Sequence, residues 1–444
     1  MRIAIKRDIV IPLLLGIVAY IFIYFHNMRT SLNGLGFAVI QALLALILLN
    51  SILNKIDAAY MENRLSIAKF TILVACVYFY ISSIKYSEGE LASGFISDNF
   101  TRLLGSFLVF LSIQIAIIVE DKISLKISPD GYGVDWFAPQ FYIAIPVFVL
   151  FSIFEFNYNI NYYSYSVLYI PDAMGQLLMF IYSSLLYFAI MVVAAGFRKS
   201  FGSVLLLAIV VMVPLIRALG TGKRSALMLP MLAIGYSFVL YKKISIKTFT
   251  RFISIVPFAF LLLTVISFSM SDRMSTFTTE YIAKDIAYRF DFSDFPMTVL
   301  SKTSGVYVRL EQILDGIKVS IPSILGGSKS NLTASSTQFY NSIGLNGRDY
   351  TDSFFSMGAD AFGYIGFVLL FVIIVAVFAK IEVYFSRKGK VSNAYRFACF
   401  SLFTHLESSW IYFIPAIRNT ILSLIIMKLF FVILDRIRVR RKRT

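Results

Sequence analysis

Histidine and cysteine are almost missing from this chain, with two of each in 444 residues. Cys76 and Cys399 both fall in apolar runs, which argues against a disulfide framework and against a cysteine metal site. His26 and His405 stand far apart in sequence, so they do not build a histidine metal centre. No P-loop and no Rossmann glycine pattern occurs. Acidic residues are few, 25 against 41 Lys and Arg, for a net charge of +16. Those cations form no single soluble basic domain, which argues against a nucleic-acid partner.

Apolar sequence is what remains in plenty. The chain is 58% hydrophobic with a mean hydropathy of +0.77. Repeated runs of about 20 apolar residues match a bilayer core of about 30 Å. The runs are continuous rather than alternating, so an all-α polytopic membrane protein is expected, not an outer-membrane barrel. Twelve spans are predicted, at 8–25, 33–53, 66–84, 101–119, 139–157, 176–196, 201–219, 226–241, 252–270, 357–379, 397–415 and 419–435. The first run has no small-residue cleavage site and is expected to be retained as a helix.

Charge sets the expected orientation. With Arg2, Lys6 and Arg7 in the cytoplasm, every second connection is positive. Lys55 and Arg64 come first, then Lys122 and Lys126, Arg198 and Lys199, Lys242 to Arg251, and Lys380 to Lys390. The tail "RIRVRRKRT" also falls inside, so both termini are expected to be cytoplasmic. The connections between are acidic, as in "KYSEGELASGFISDNF", or lack Lys and Arg, as in "NYNINYYSYSVLYIPDAM". No D-x-D-type cation motif stands on the cytoplasmic side, which argues against a nucleotide-sugar donor.

Certain cations break the rule. "GTGKRS" faces outward on this topology and carries Lys223 and Arg224, with Arg217 just inside the preceding run. Either they snorkel to lipid phosphates or they are kept for function. Arg418, in "IPAIRNT", is read as lying in the outward turn between the last two runs.

One connection, Ser271 to Ser356, is far longer than the others. The expected organisation is therefore membrane helices over 1–270, an extracytoplasmic loop over 271–356, membrane helices over 357–435 and a basic tail over 436–444. Within the loop, "TEYIAKDIAYRFDFSDF" and "GVYVRLEQILDGIKVSIPSILGG" have helical spacing, the second ended by Pro322 and the Gly326–Gly327 pair. Arg289, Asp291 and Asp294 cluster in the first. Arg348, Asp349 and Asp352 cluster just before the next run, and Asp360 sits in its first turns. "GLNG" and "GAD" supply backbone that a ligand can approach closely. Arg309–Glu311 and Asp272–Arg273 read as surface charges, and the sequon at Asn331 as chance. His405 and Glu407 are either an interior polar pair or a proton-handling one.

Arginines gathered at one membrane surface suit a diphosphate, because the guanidinium fork pairs with phosphate oxygens. They would also stabilise a diphosphate leaving group, and a nearby carboxylate would serve as general base. The pieces "GTGKRSALMLPMLA", "YRFDFSD" and "GRDYTDSFFSMGADAFGYIGFVLLF", in this order and sidedness, resemble the Wzy-type O-antigen and oligosaccharide repeat-unit polymerases. The resemblance covers roughly residues 205–430; the first two hundred residues match in hydropathy alone.

The resemblance implies a C-type glycosyltransferase fold in the bacterial inner membrane, using no cofactor and no metal. Its substrate would be an undecaprenyl-diphosphate-linked oligosaccharide among membrane lipids. A chain-length regulator and a flippase of the same pathway would be its partners. It assigns Arg224 and Arg289 to the family's outward arginines and carries over Arg348 and Arg418 by position; Arg217, Lys223, Asp349 and Asp352, read on the same side of the membrane, are further substrate-binding candidates. Asp291 and Asp294 are the candidate bases, with Arg289 beside them in catalysis. An O-antigen ligase is the first alternative; such ligases carry a histidine in the main outer loop, and this loop has none. A lipid-linked oligosaccharide flippase is the second, disfavoured by the lack of an internal repeat and by the scarcity of mid-membrane charge in the first six runs.

Overall fold

A bilayer core offers no water to bond backbone N–H and C=O groups, so long runs rich in Leu, Ile and Phe satisfy them internally as helices. In the computed structural model every regular element among the described residues is a helix. Described are residues 34–82, 99–129, 142–159, 173–198, 200–221, 225–241, 292–303, 305–321, 353–388, 392–403 and 410–441, with a few isolated residues between. The helices are α1 (Gly34–Met61), α2 (Ile67–Ser82), α3 (Asn99–Ser124), α4 (Ala144–Tyr158), α5 (Ala173–Gly196), α6 (Phe201–Thr221) and α7 (Ser225–Leu240). After these come α8 (Asp294–Ser301), α9 (Glu311–Ser320), α10 (Phe354–Ser386), α11 (Ser392–Ala398), α12 (Phe400–Phe403) and α13 (Trp410–Arg441).

Among the described residues, four stretches are long and apolar enough to cross a membrane: Val39–Met61, Phe100–Ser124, Leu177–Gly196 and Phe354–Ser386. Shorter apolar helices, of 10–17 residues, cover Ile67–Tyr80, Ala144–Tyr158, Phe201–Arg217 and Pro230–Leu240. The chain is an α-helical, membrane-embedded protein. The runs at 8–25 and 252–270 lie outside the described residues.

The chain divides into two compact units. The first comprises Met1–Lys126, Thr278–Val383 and Phe403–Pro415; the second comprises Ile127–Phe277, Tyr384–Leu402 and Ala416–Thr444.

In the first unit α1, α2 and α3 pack on one another. Gln41 clasps all three: its amide donates to the Phe79 carbonyl at 3.0 Å and to the Ser82 hydroxyl, and its oxygen accepts from Ser106 at 3.2 Å. Between apolar helices such hydrogen bonds hold what burial alone does not. One end of the bundle carries charge. Lys69, 1% exposed, pairs with Glu120, which is fully buried and also accepts from Ser66. Lys55 pairs with Asp121 at 2.9 Å. Glu382 accepts from the Ile67 and Ala68 amides at 2.7 and 2.9 Å, so a carboxylate from α10 caps the N-terminus of α2.

At its other end α10 is broken, with non-helical backbone at Phe362 and Gly363. Across the break the chain folds back on itself. The Phe355 ring lies 5.2 Å from Phe371 and 6.1 Å from Phe367, whereas sixteen residues of straight helix would separate the first pair by about 24 Å. Gly358 and Gly366 meet so closely that a Cβ on either would collide with the carbonyl of the other. The run expected at 357–379 is therefore not one straight span. Its first turns are a short half-helix doubled against the turns after Gly363, and small residues make that contact possible.

The second unit holds α4 to α7, with α5 against α4, α6 and α7. Glu155 is fully buried in α4 and accepts from both terminal nitrogens of Arg217 in α6, at 2.8 and 3.3 Å. Asn159 donates to the same carboxylate at 2.9 Å, and the Arg217 guanidinium stacks 3.9 Å above the Tyr182 ring. Tyr187, Tyr236, Phe397 and Phe400 form an aromatic cluster, as in the stacked Tyr236–Phe397 pair at 6.2 Å.

One expectation needs correction. Arg418 is not in a turn: it is the ninth residue of α13, which runs unbroken from Trp410 to Arg441 through Pro415. Pro415 sits in a helix interior that the sequence pattern made look like a boundary. Lys69 and Glu155, each at most 1% exposed, stand near the ends of the runs expected at 66–84 and 139–157, and the buried Glu120 lies just beyond the run at 101–119.

Candidate functional site

The break in α10 organises the end of the first unit opposite the Lys69–Glu120–Glu382 group. From Gly363 to Glu382 is nineteen residues, about 28 Å of helix, close to the thickness of a bilayer core. Gly363 has φ +61 and ψ −146, a region that glycine occupies and residues with a Cβ avoid.

A helix that ends inside a protein leaves carbonyls to satisfy. The segment 305–310 supplies the donors. Arg309 N–H donates to the Ala361 carbonyl at 2.7 Å, and the Tyr307 hydroxyl donates to the Ala359 carbonyl at 2.8 Å. In return, Tyr364 N–H donates to the Gly305 carbonyl at 3.0 Å. Burial pushes the Tyr307 phenol up to about 12; Asp360 adds to the rise, while the bond with Thr303 and the Arg309 charge oppose it. The phenol therefore keeps its proton, and its donor role, at any physiological pH.

Around this strap lie acidic and aromatic groups. Asp360, in the last turn of the half-helix, is 2% exposed and close enough to perturb Tyr307. Asp294 opens α8, also 2% exposed, and accepts from the Ser293 hydroxyl at 3.3 Å. A carboxylate in a first helical turn complements the helix dipole. Helix α8 seats on α3 at Gly105, where a Cβ would lie 2.6 Å from Met297. Its neighbour Phe292 packs 5.2 Å from Phe355 and 5.8 Å from Tyr78, which ties α8 to the half-helix. On another side the Trp410 indole donates to the Met357 carbonyl at 3.1 Å, and Phe413 meets Phe354 edge-on at 5.1 Å. Helix α9 buries Gln312 and Asp315 and presses Gly316 onto the Trp410 carbonyl. Arg309 and Glu311 are a loose surface pair at 3.6 Å.

Of the residues singled out in the sequence, Asp294 joins this cluster, and Asp360 marks its centre. Arg217 belongs to the second unit, with both terminal nitrogens engaged by Glu155. Arg418 is also there, half-buried, with its guanidinium donating to Asn419 at 2.9 and 3.1 Å. Lys223, Arg224, Arg289, Asp291, Arg348, Asp349 and Asp352 lie outside the described residues, as do His405 and Glu407.

Tyr307 and Glu155 were missed from sequence alone. Glu155 carried a signal, because an acidic residue inside an apolar run demands an internal partner. Tyr307 carried none, since one tyrosine in an aromatic-rich loop does not stand out. Compared with known proteins, the chain matches no family model, no curated protein and no solved structure.

Proposed function

We propose that the protein is an O-antigen polymerase of the Wzy type, a glycosyltransferase of the bacterial inner membrane with about twelve spans and cytoplasmic termini. It joins undecaprenyl-diphosphate-linked repeat units at the outer face, moving the growing glycan onto the non-reducing end of a new lipid-linked unit. One observation carries the reading: the order of outward arginine motifs ends in "GADAFGYIG", and that motif is where α10 breaks. Irregular backbone at membrane depth is tolerated where it is buried in protein or lines a polar cavity, and it recurs at substrate sites. In this reading Arg224 and Arg289 hold the diphosphates, with Lys223 and Arg348 as further phosphate-binding candidates. Asp291 or Asp294 takes the acceptor hydroxyl proton as the bond to the anomeric carbon forms and the lipid diphosphate leaves.

The test is the lipopolysaccharide profile of a strain lacking the chain. It should show core capped with single repeat units, and the chain in trans should restore the ladder. Arg224→Ala and Arg289→Ala should reach the membrane and leave single-unit caps. Long ladders in the deletion strain would refute the reading, and uncapped core would favour a ligase.

A further inference from the structure

Helix α9 is amphipathic with its faces reversed relative to a soluble protein. Its inward face is polar or small: Gln312 and Asp315 are buried, and Gly316 lies on Trp410. Its outward face is apolar. Leu310, Leu314, Ile317 and Ile321 recur at intervals of four, three and four, which is one stripe of a helix, and all four are exposed. The two exposed charges, Glu311 and Lys318, sit seven residues apart and line a single flank of that stripe. Just before α9, Val306 and Val308 point outward at 75% and 70% exposure, alternating with the inward Tyr307. Water would oppose so contiguous an apolar surface.

What covers this face follows from what it continues. The segment bearing Val306 and Val308 is hydrogen-bonded to α10 at Ala361 and Tyr364. Directly after that point Ile365, Leu369, Ile373 and Val377 form the exposed apolar stripe of α10, whose run is long enough to cross a membrane. The hydrogen bonds of the 305–309 segment to Ala361 and Tyr364 therefore set the apolar surface of Val306, Val308 and α9 beside the exposed apolar stripe of α10. We infer that the 306–321 segment is embedded in the membrane interface at the Gly363 end of α10, with Leu314 and Ile317 among lipid acyl chains and the Glu311–Lys318 flank at the headgroups. The long loop is then not wholly extracytoplasmic: one helix of it floors the site at the α10 break and shields Asp315 and Gln312 from lipid. Such a helix, polar on one side and apolar on the other, is what an interface selects. This inference does not rest on the polymerase reading; it needs only a bilayer around α10.

Spin labels test it. Leu314→Cys, Ile317→Cys and Lys318→Cys are made one at a time in the full chain, whose own Cys76 and Cys399 are buried. Each is labelled and reconstituted in phosphatidylethanolamine–phosphatidylglycerol vesicles. The ratio of oxygen to nickel-chelate collision rates should be severalfold higher at 314 and 317 than at 318. An Ile317→Trp variant, read by brominated-lipid quenching, gives a second arm that needs no labelling, and strong quenching of the added indole is expected. Chelate-dominated collisions at all three sites would put the face in water. Collisions with neither reagent at 314 and 317 would put protein on it, a second copy or a partner. Either result, or an introduced tryptophan that brominated lipid leaves unquenched, overturns the inference, while repeat-unit polymerisation is untouched by the outcome.

Discussion

Lys69 shows how this chain handles charge inside apolar surroundings. Its ammonium is buried against Glu120, with Ser124 and Asp121 supplying its remaining partners, while the Ser66 hydroxyl donates to Glu120. Removing one member of such a pair leaves the other uncompensated, at a cost of about 3–5 kcal/mol. Lys69→Met should therefore lower the thermal midpoint of the detergent-solubilised protein sharply. Adding Glu120→Leu should recover most of the loss, because a well-packed apolar pair avoids the desolvation cost altogether. Arg217 follows the same logic in the second unit. Glu155→Ala should destabilise strongly, Arg217→Ala less, and the double variant least. If Arg217 served only as a phosphate ligand, Arg217→Ala would leave the midpoint unchanged. Sequence marks such positions, since each is a charged residue in an apolar run, but it does not name their partners. Glu120 lies 51 residues from Lys69, and nothing in the spacing joins them.

At the scale of elements, the broken helix is the feature on which the site depends. Gly363 cannot be replaced without strain: its φ and ψ lie where a Cβ costs about 1–3 kcal/mol, and that Cβ would also strike the Gly305 carbonyl. Gly363→Ala should unseat the 305–310 strap and lower both thermal stability and chain extension. Gly202→Ala, where nothing lies within 4 Å, should change neither. Gly358→Leu should act like Gly363→Ala, because it drives a side chain between the two arms of α10. Tyr307→Phe should cost about 1 kcal/mol, the worth of the bond to the Ala359 carbonyl, with little change on raising pH to 9. Helices were legible where apolar runs were long, as in α1, α3 and α5. The hairpin in α10 was not, because "FFSMGADAFGYIGFVLL" has the hydropathy of a plain span; only its glycines betray the turn, and a ligand-contacting role explains them equally well until the backbone is seen. For α13 the error ran the other way, since Pro415 and the polar Arg418–Asn419 pair mimic a turn inside a continuous helix.

For the whole molecule, the account depends on which side of the bilayer each end of α10 faces. The basic residues Arg387 and Lys388 follow the Glu382 end, and the strap and α8 flank the Gly363 end. Lys–Arg bias assigns the first to the cytoplasm. That assignment came wholly from sequence, and the separation of about 28 Å between the two ends agrees with it without fixing its direction. The direct measurement uses single cysteines at the exposed Lys302 and Lys388, treated in intact cells with a membrane-impermeant maleimide that passes the outer membrane. Lys302→Cys should react in intact cells, and Lys388→Cys only after lysis. The opposite pattern would turn the broken helix and its carboxylates toward the cytosol, where no lipid-linked repeat unit awaits polymerisation, and the proposed enzyme would have to be abandoned.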